Sequence, residues 1–488
     1  MTDMFPVLRV LGILIMIFGA AMGLPLAVSW FMVDGVWHIY PVAMAATVAF
    51  GAGLWWKLRL FRRELQPRHG VMLVSLVWLM LPLFAALPLM LGGHYAGRPM
   101  SFTHAYFEAV SGLTTTGATV MTGLDTLPVS INVWRTFLQW LGGMGILILA
   151  VAVLPLLGVG GSQLFRAEAA GPVKDAKLTP RMTGTAKGLW GVYALFSVAC
   201  ALAYWAGGMA PLDALMHMFT TVSLGGLSSH DASFGHFQSP LLEAIAVVFM
   251  LVASCNFALY FVALRKGDWH GFWRDPELRA TLGTLIGGGL VVSLLLWVKG
   301  VYEPLQALRH GMFNVISIAT TTGYATADYL GWPVFAPVLM LLLSGVATSA
   351  GSTGCGIKMV RMLILIKQAR REMTRLVHPR AVQPVRLGSG VVDNRVIFSV
   401  LAFMLVYGGT VIGLSMVLLL TDLDLVTAFS AVLASVNCTG PGLGSVGPAS
   451  NFAVLTDFQV WVCTLAMLLG RLEILSFMAV LTPAFWRR

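Results

Sequence analysis

Long apolar runs alternate with short polar stretches along the whole chain, and this pattern predicts a helical membrane protein. Two apolar runs of spanning length come first, at about residues 5–32 and 40–60. A unit of one span, a shorter apolar run ending at glycine, and a second span then occurs four times. The paired spans are predicted at residues 71–93 and 133–158, 188–207 and 240–264, 280–299 and 334–366, and 395–420 and 457–482.

The shorter runs resemble one another in sequence. In Phe107–Thr119 and Phe313–Thr326 a glycine follows the first phenylalanine by ten residues. The run at Leu215–Gly226 keeps that spacing with leucine in the first position, and Phe429–Gly442 is one residue longer. The repeat glycines predicted from this spacing are Gly117, Gly225, Gly323 and Gly440.

Each shorter run begins with residues that favour a helix start. These residues are Ser101, Thr103, Pro211, Asp213, Pro304, Asp422 and Asp424. About a dozen helical residues extend about 18 Å, whereas the hydrocarbon layer is about 30 Å thick. We therefore expect four half-length helices that enter from the outer side and end near the middle of the membrane.

The chain must return outward after each glycine as irregular backbone. Such backbone is tolerated at membrane depth only where protein or a water-filled cavity satisfies its polar groups. Glycine allows successive carbonyl groups to face a common axis, where they can replace the hydration shell of a cation. The negative ends of the four helix dipoles would favour a cation at the same depth.

Composition and charge agree with a membrane protein. The chain has 488 residues, 58% of them hydrophobic and 11% charged, with a mean hydropathy of +0.82. The first apolar run is too long for a cleaved signal and is interpreted as a retained span. Of the 31 Lys and Arg residues, 25 lie at the termini and in alternate loops. This asymmetry predicts cytoplasmic termini and explains the net charge of +10 without a nucleic-acid partner.

Acidic residues concentrate on the opposite, outer side. Eleven acids lie in or beside the outer loops, which contain four basic residues. They either concentrate cations at the mouth of a pathway or form an ordinary solvated surface. The acids are Asp34, Glu108, Asp125, Asp213, Asp231, Glu243, Glu303, Asp328, Asp422, Asp424 and Asp457, and the bases are Arg98, Arg135, Lys299 and Arg309. The five cysteines are isolated, which is typical of apolar packing and not of disulfide or zinc sites.

The chain resembles the membrane subunit of the Trk/Ktr/HKT family of potassium transporters, and within it a Trk-type bacterial potassium uptake protein. The motifs that carry the resemblance are Ser111–Thr119, Thr221–Asp231, Thr320–Asp328, Gly440–Gly444 and Gly470–Ile474. The resemblance implies an all-α polytopic fold of four potassium-channel-like repeats, a pseudo-tetramer preceded by two extra helices. It also implies potassium as the transported ion, a homodimer, and a cytosolic nucleotide-binding ring as regulatory partner. Gly117 stands where sodium-permeable members of the family carry serine.

The predicted potassium filter is formed by three residues from each repeat. The residues are Thr115, Thr116 and Gly117; Ser223, Leu224 and Gly225; Thr321, Thr322 and Gly323; and Cys438, Thr439 and Gly440. The alternative is four tight turns with capping threonines. His217 and His230 lie near the second segment, where a proton-linked role competes with ordinary packing or solvation.

A second candidate site lies within the last span of the third repeat. The stretch Ser344–Lys358 is too rich in small and polar residues for a continuous lipid-facing helix. We interpret it as an unwound gate below the filter, and a close helix-packing seam is the alternative. The predicted gate residues are Gly345, Ser349, Gly351, Gly354, Gly356 and Lys358.

Arg471 is predicted in the middle of the last span, where an unpaired charge is costly. It either acts as a positive barrier in the pore or forms a structural ion pair. Glu473 is a poor local partner because it is two residues away on the helix. The resemblance favours the pore.

The sequence therefore predicts potassium uptake across a bacterial inner membrane. The free energy would come from the membrane potential, alone or with a coupled proton or sodium ion. An alternating-access cation transporter is the alternative, and an enzyme is disfavoured because no catalytic constellation or phosphate-binding loop is found. The predicted domains are residues 1–70, an N-terminal two-helix module, followed by repeats at 71–165, 166–268, 269–378 and 379–488.

Overall fold

The chain is mostly α-helical in the computed structural model, which describes residues 4–61, 67–95, 97, 99–152, 182–388 and 390–486. Six of the described helices are long and apolar enough to cross a membrane, and a bent pair makes a seventh candidate. The first two apolar runs form the helices Phe5–Ala21, Gly23–Met32 and Ile39–Leu58. Gly12 and Gly51 allow the first and third of these helices to pack closely, since an added Cβ on Gly12 would lie 2.8 Å from the Gly51 carbonyl oxygen.

Four similar units follow this helical pair, and each has a long helix, a short buried helix, an irregular return segment and a second long segment. The long first helices are Pro67–Tyr95, Met182–Ala206, Pro276–Val298 and Asn394–Leu419. The short helices are Phe102–Leu113, Pro211–Val222, Pro304–Ala319 and Leu425–Val436. The second segments comprise Val129–Ala152; Pro240–Ser254 and Phe257–Lys266; Phe335–Val346 and Met359–Val377; and Asp457–Arg471, Ile474–Leu481 and Pro483–Trp486.

The short helices begin where the sequence predicts. The Ser101 hydroxyl accepts the backbone N–H of His104, and the Asp424 carboxylate accepts that of Thr427. Pro211 and Pro304 occupy the first turns of the second and third short helices. The Ser101 and Asp424 side chains satisfy backbone donors that a helix start otherwise leaves unpaired, whereas the prolines have no N–H that would need a partner. Asp422 is not part of the fourth cap and instead has a left-handed backbone.

Two predicted spans that we expected to be continuous are interrupted. The span predicted at residues 240–264 is bent by 90° between Ser254 and Phe257. Asn256 allows the break because its side chain accepts the backbone N–H of Ala258 and caps the new helix. The span predicted at residues 457–482 ends its first helix at Arg471, and Glu473 beyond it is left-handed with φ of 49°.

The third repeat also breaks, at the small and polar stretch. Its helix ends at Val346 and begins again at Met359, with a loop of mostly buried residues between them. Beyond Val377 a two-stranded antiparallel hairpin, Arg386–Leu387 with Gly390–Val391, is a small exception to the all-helical fold. Residues 153–158 of the predicted span 133–158, the boundary between 165 and 166, and Arg98 lie outside the described residues.

The second long segment of a repeat packs closely on the end of the short helix in two repeats. A Cβ added to Gly142 would lie 1.8 Å from the Leu113 carbonyl oxygen, and one added to Gly470 would lie 1.9 Å from that of Val436. Leu113 and Val436 are the last residues of their short helices. These glycines therefore bring a spanning helix into backbone contact with the point where the return segment begins.

We expect Gly142→Ala to lower the free energy of unfolding by about 1–3 kcal/mol, because its Cβ would collide with backbone and not with a movable side chain. Gly409→Ala is the matched control, since Gly409 is also helical and has open space around it. Thermal unfolding of both purified variants in detergent measures the difference. Equal stability of the two variants would contradict the close packing.

Candidate functional site

The same backbone conformation follows each of the four short helices. Two residues with positive φ, separated by one ordinary residue, occur in every repeat. Their φ values are 54° and 82° at Thr115 and Gly117, 54° and 74° at Leu224 and Gly226, 65° and 88° at Thr321 and Gly323, and 53° and 92° at Cys438 and Gly440. Non-glycine residues rarely adopt this region. Four copies of the arrangement indicate that the surroundings impose it.

The hydrogen bonds of these four turns correct the register predicted for the second repeat. The backbone N–H between the two positive-φ residues donates to the carbonyl five residues earlier, as Thr116 does to Ser111 and Gly225 does to Thr220. Gly225 therefore corresponds to Thr116, and Gly226 is the repeat glycine. The predicted triplet Ser223 to Gly225 was one residue too early, because two adjacent glycines fit the spacing and only one has positive φ.

The four turns meet in a closed ring. A Cβ added to Gly117 would lie 2.1 Å from the carbonyl oxygen of Gly225, in the second repeat. A Cβ added to Gly226 would lie 1.9 Å from the Thr322 carbonyl oxygen, and one added to Gly323 would lie 2.1 Å from that of Thr439. A Cβ added to Gly440 would lie 2.9 Å from the Thr116 carbonyl oxygen. Each repeat thus abuts the next, and the fourth returns to the first. Backbone from all four repeats therefore packs together at this level, and at Gly117, Gly226 and Gly323 there is no room for a side chain.

The second turn differs because Gly225 stands where the other three have threonine. The side chain of Gln139, from the long helix of the first repeat, occupies that space. Its Nε2 donates to the Gly225 carbonyl at 2.7 Å, and its Oε1 accepts the Leu227 N–H at 3.1 Å. Sequence reasoning missed Gln139, since nothing local links it to a turn 86 residues away.

The third turn alone has a tyrosine after its glycine, and that tyrosine joins two repeats. Tyr324 is fully buried. Its hydroxyl contacts the hydroxyls of Thr220 and Thr221 and donates to the His217 carbonyl at 3.2 Å. His217 is also fully buried, with its two ring nitrogens against the Asp213 carbonyl and the Ser228 hydroxyl. Buried aromatic and hydroxyl groups therefore fix the second turn relative to the third.

A buried ion pair supports the first turn and corrects the picture of a freely acidic outer face. The Arg135 guanidinium lies 2.7 Å from the Glu108 carboxylate, and both side chains are 0% exposed. Glu108 also accepts the Val120 N–H, and Arg135 donates to the Ser228 carbonyl. Glu243 and Arg309 form a second pair at 2.6 Å. Two of the eleven outer acids are thus neutralised locally by two of the four outer bases.

The loop between Val346 and Met359 lies directly against the point where the second and third short helices end and their turns begin. The Thr353 hydroxyl donates to the carbonyl of Val222, the last residue of the second short helix, at 3.2 Å. The Cys355 N–H donates to the Thr321 hydroxyl at 3.4 Å. The Lys358 ammonium turns back to the Gly354 carbonyl. These contacts bring the loop of the predicted gate residues next to the predicted filter residues.

The same loop is fastened to the unexpected break in the second repeat. The Ser349 N–H donates to the Ser254 carbonyl at 2.9 Å, and the Phe257 N–H donates to the Gly351 carbonyl at 3.1 Å. The Glu277 carboxylate accepts the Ala350 N–H at 2.6 Å. Each interrupted helix therefore satisfies backbone groups that the other leaves without helical partners.

Arg471 reaches this loop and does not pair with its near neighbour Glu473. Its guanidinium donates to the Thr353 carbonyl at 3.1 Å and contacts the Cys355 sulfur at 3.0 Å, and it is 1% exposed. A further bond of 3.0 Å goes to the Gly142 carbonyl. Glu473 pairs instead with Arg361 at 3.2 Å. The local Glu473 pair that we weighed for Arg471 is therefore not formed.

Above the ring, a cavity connects the four turns with the outer loops. It is lined by the ring glycines Gly117, Gly226, Gly323 and Gly440 and by residues such as Arg135, His230 and Asp231. Burial lowers the pKa of His230, but the carboxylates of Asp213 and Asp125 raise it more, so that its pKa lies above the ordinary value. Burial raises the pKa of Asp125, but the hydrogen bonds from His230 and from the Asp231 backbone, together with the nearby charges of His230 and His236, lower it by more, so that its pKa lies below the ordinary value.

Comparison with known proteins gives the same architecture over the full length. A family model described as TrkH, cation transport protein, matches residues 41–486. The Trk system potassium uptake protein TrkH of Halomonas elongata is 45% identical over 482 residues, which cover 99% of both chains. The protein of the same name from Escherichia coli K12 is 42% identical over 98% of both chains. The crystal structure of the potassium transporter TrkH from Vibrio parahaemolyticus superposes with a TM-score of 0.91 at 40% identity, covering 100% of this chain and 99% of that one.

Arg135→Met should lower the free energy of unfolding by about 3–5 kcal/mol, because it leaves the buried Glu108 carboxylate without its partner. Arg309→Met is the matched control and should cost less, since the Arg309 side chain is 29% exposed. The double variant Arg135→Met, Glu108→Gln should recover part of the loss. Thermal unfolding in detergent gives all three values, and an equal loss in the two single variants would contradict the argument.

Proposed function

Because the chain belongs to the TrkH family of cation transport proteins, we propose that it takes up potassium ions through the ring formed by its four glycine turns. The closed contact of each ring glycine with a carbonyl oxygen of the next repeat carries this proposal. The relatives named above are potassium uptake proteins. Rescue of growth at low potassium in a bacterium that lacks potassium uptake tests the function, and rubidium flux into liposomes tests it directly.

The filter in this proposal is formed by backbone oxygens from all four repeats. The residues are Thr115, Thr116 and Gly117; Leu224, Gly225 and Gly226; Thr321, Thr322 and Gly323; and Cys438, Thr439 and Gly440. Carbonyl dipoles can replace the water that a potassium ion loses. The four short helices end at this level, so the negative ends of their dipoles favour a cation there. The repeats differ at Gly225 and Tyr324, so the filter is less symmetric than one built from four identical chains.

We assign the loop below the ring as the gate. Its contacts with Val222 and Thr321 support this role, because a loop against the inner end of a filter obstructs the axis. Gly345, Ser349, Gly351, Gly354, Gly356 and Lys358 are the gate residues of the proposal. The packing-seam alternative accounts for the small residues, but it does not require the hydroxyl, amide and ammonium contacts of the loop.

Arg471 would act as a barrier by two means. Its positive charge would raise the energy of a cation beside the loop, and its bonds to Thr353 and Cys355 hold the loop in place. Both effects oppose passage. An alternating-access mechanism is less well supported, because broken-helix transporters arrange their site at the interface of two halves whereas four turns meet here.

The membrane setting and the partners of this proposal rest on the family and on the names of the relatives. We propose a multi-pass protein of the bacterial inner membrane with both termini in the cytoplasm, divided into the two-helix module and four repeats predicted above. The relatives belong to a Trk system, which implies further components. We infer a homodimer and a cytosolic nucleotide-binding ring. The membrane potential supplies about 2.3 kcal/mol per charge per 100 mV, alone or with a coupled proton or sodium ion.

Gly323→Ser should weaken discrimination against sodium by about tenfold, or about 1.4 kcal/mol. The reason is that a side chain at this position would displace the Thr439 carbonyl oxygen, 2.1 Å from the added Cβ. Permeation ratios of rubidium and sodium in liposomes measure the change. Gly331→Ser, in an outer loop with open space around it, is the control and should keep the parent ratio. A parent-like ratio for Gly323→Ser would argue against the filter.

Arg471→Ala should raise the resting rubidium flux while the yield of folded protein changes less, because it removes both the charge and two bonds to the loop. Arg471→Lys keeps the charge but has fewer hydrogen-bond donors, so its resting rubidium flux should lie between those of the parent and Arg471→Ala. Rubidium uptake into liposomes, normalised to folded protein from size-exclusion chromatography, separates the effects. Loss of folded protein without a change in flux per molecule would assign Arg471 a structural role.

A further inference from the structure

Three side chains capable of binding a metal ion converge on the outer loops, above the cavity that leads to the ring. Asp125 comes from the return segment of the first repeat, and His230 and His236 come from that of the second. One ligand atom from each lies within 4.8 Å of the other two. The imidazoles of His230 and His236 are parallel, with their centroids 3.5 Å apart. Asp125 and His236 are solvent-exposed, so an ion from the outer solution can reach the cluster.

Neighbouring polar groups orient His230 in the way that hydrogen-bond partners orient the ligands of a metal site. The Nδ1 atom of His230 hydrogen-bonds to Asp125, while its Nε2 atom lies 3.4 Å from the Asp213 carboxylate. Asp213 is in turn held by the Ser229 hydroxyl at 2.9 Å. A metal-bound histidine usually turns its second nitrogen toward a carboxylate, which fixes the ring and makes it a better ligand. His230 already has this arrangement on the side away from Asp125.

The remaining carboxylate oxygen of Asp125 is also fixed. It accepts the backbone N–H of Asp231 at 3.2 Å. The Asp231 carboxylate accepts the Leu124 N–H at 3.0 Å, so the two return segments are tied together in both directions. Asp125 and His230 are thus held near one another without a metal ion, which reduces the ordering that binding requires of them. His236 is stacked on His230 and has to turn its ring so that its nitrogen points to the same ion.

The ligand set indicates which ions the site would take. Imidazole nitrogen with one carboxylate suits zinc, copper and nickel, whereas magnesium and calcium prefer oxygen ligands. Two histidines and one aspartate leave a fourth position of a tetrahedral zinc ion for water. The ion would replace the proton of the hydrogen bond between His230 and Asp125, since metal ligands bind in their deprotonated form.

We propose that Asp125, His230 and His236 form a binding site for a divalent transition-metal ion, with zinc as the test ion, and that the bound ion lowers potassium entry. The inhibition of potassium entry rests on the proposed transport function. His230 and Asp231 line the cavity that contains Gly117, Gly226, Gly323 and Gly440. A divalent charge on this wall would offset nearby carboxylates and repel potassium ions that approach the ring.

Binding is tested first, on purified full-length protein without added metal, by calorimetric titration with zinc chloride. We expect one saturable site in the parent, and an affinity about tenfold or more lower in His236→Gln and in Asp125→Asn. His104→Gln is the matched control, because His104 is another histidine of the outer face and lies 3.7 Å from Asp457, away from the cluster. Absence of zinc binding in the parent, or equal affinity in parent and His236→Gln, would overturn the site.

Inhibition is tested second, by rubidium influx into liposomes with zinc on the outer side. Zinc should lower influx in the parent and in His104→Gln, and it should lower influx less in His236→Gln. Magnesium at the same concentration should have no such effect. Zinc binding without any change in influx would overturn the inhibitory role and leave the site intact. A parent that binds zinc but carries no rubidium in the absence of metal would count instead against the proposed transport function.

Discussion

The ring depends on one steric constraint, which is that a glycine of each repeat lies against a backbone carbonyl of the next. At Gly117, Gly226 and Gly323 an added Cβ would come within about 2 Å of that oxygen, a distance at which no side chain is accommodated. The short helices, their caps and the close packing at Gly142 and Gly470 all hold four pieces of irregular backbone at this separation. Backbone that is irregular and buried must be held by its surroundings, since water cannot satisfy it.

Four chemically different supports hold the four turns. The Arg135–Glu108 ion pair supports the first turn, and Gln139 hydrogen-bonds to the second turn. Tyr324 connects the third turn to the second repeat. The fourth turn is supported where it begins, because the Asn437 side chain at the end of the short helix donates to the Ser344 hydroxyl. A single chain can place a different residue in each quadrant, which a homotetramer cannot do. The backbone geometry is therefore nearly four-fold, while the hydrogen bonds that stabilise it are individual.

The sequence predicted the elements whose signals are local. Spanning helices follow from the length of apolar runs, and the short helices follow from Ser101, Pro211, Pro304 and Asp424 at their starts. The break near Ser344–Lys358 follows from its density of small residues. Within the described residues the all-helical expectation was correct apart from one short hairpin, and the family suggested by the turn motifs is confirmed.

The features that the sequence did not predict depend on contacts between distant residues. The repeat glycine of the second unit could not be chosen between Gly225 and Gly226 by spacing, because only the backbone angles distinguish them. The bend at Asn256 looked apolar enough to continue as a helix, and it is stabilised by a loop from another repeat. Glu108 and Arg135 lie 27 residues apart and were taken for separate outer-loop charges.

The backbone hydrogen bonds between the two interrupted helices restrict how the loop between Val346 and Met359 can move. Ser254 and Phe257 use the loop at Ser349 and Gly351 to complete their hydrogen bonding. If the loop withdraws, a carbonyl and an amide of the neighbouring helix lose their partners at the same moment, and only water is small enough to replace them. Displacement of the loop and wetting of the space below the ring would therefore be a single cooperative event.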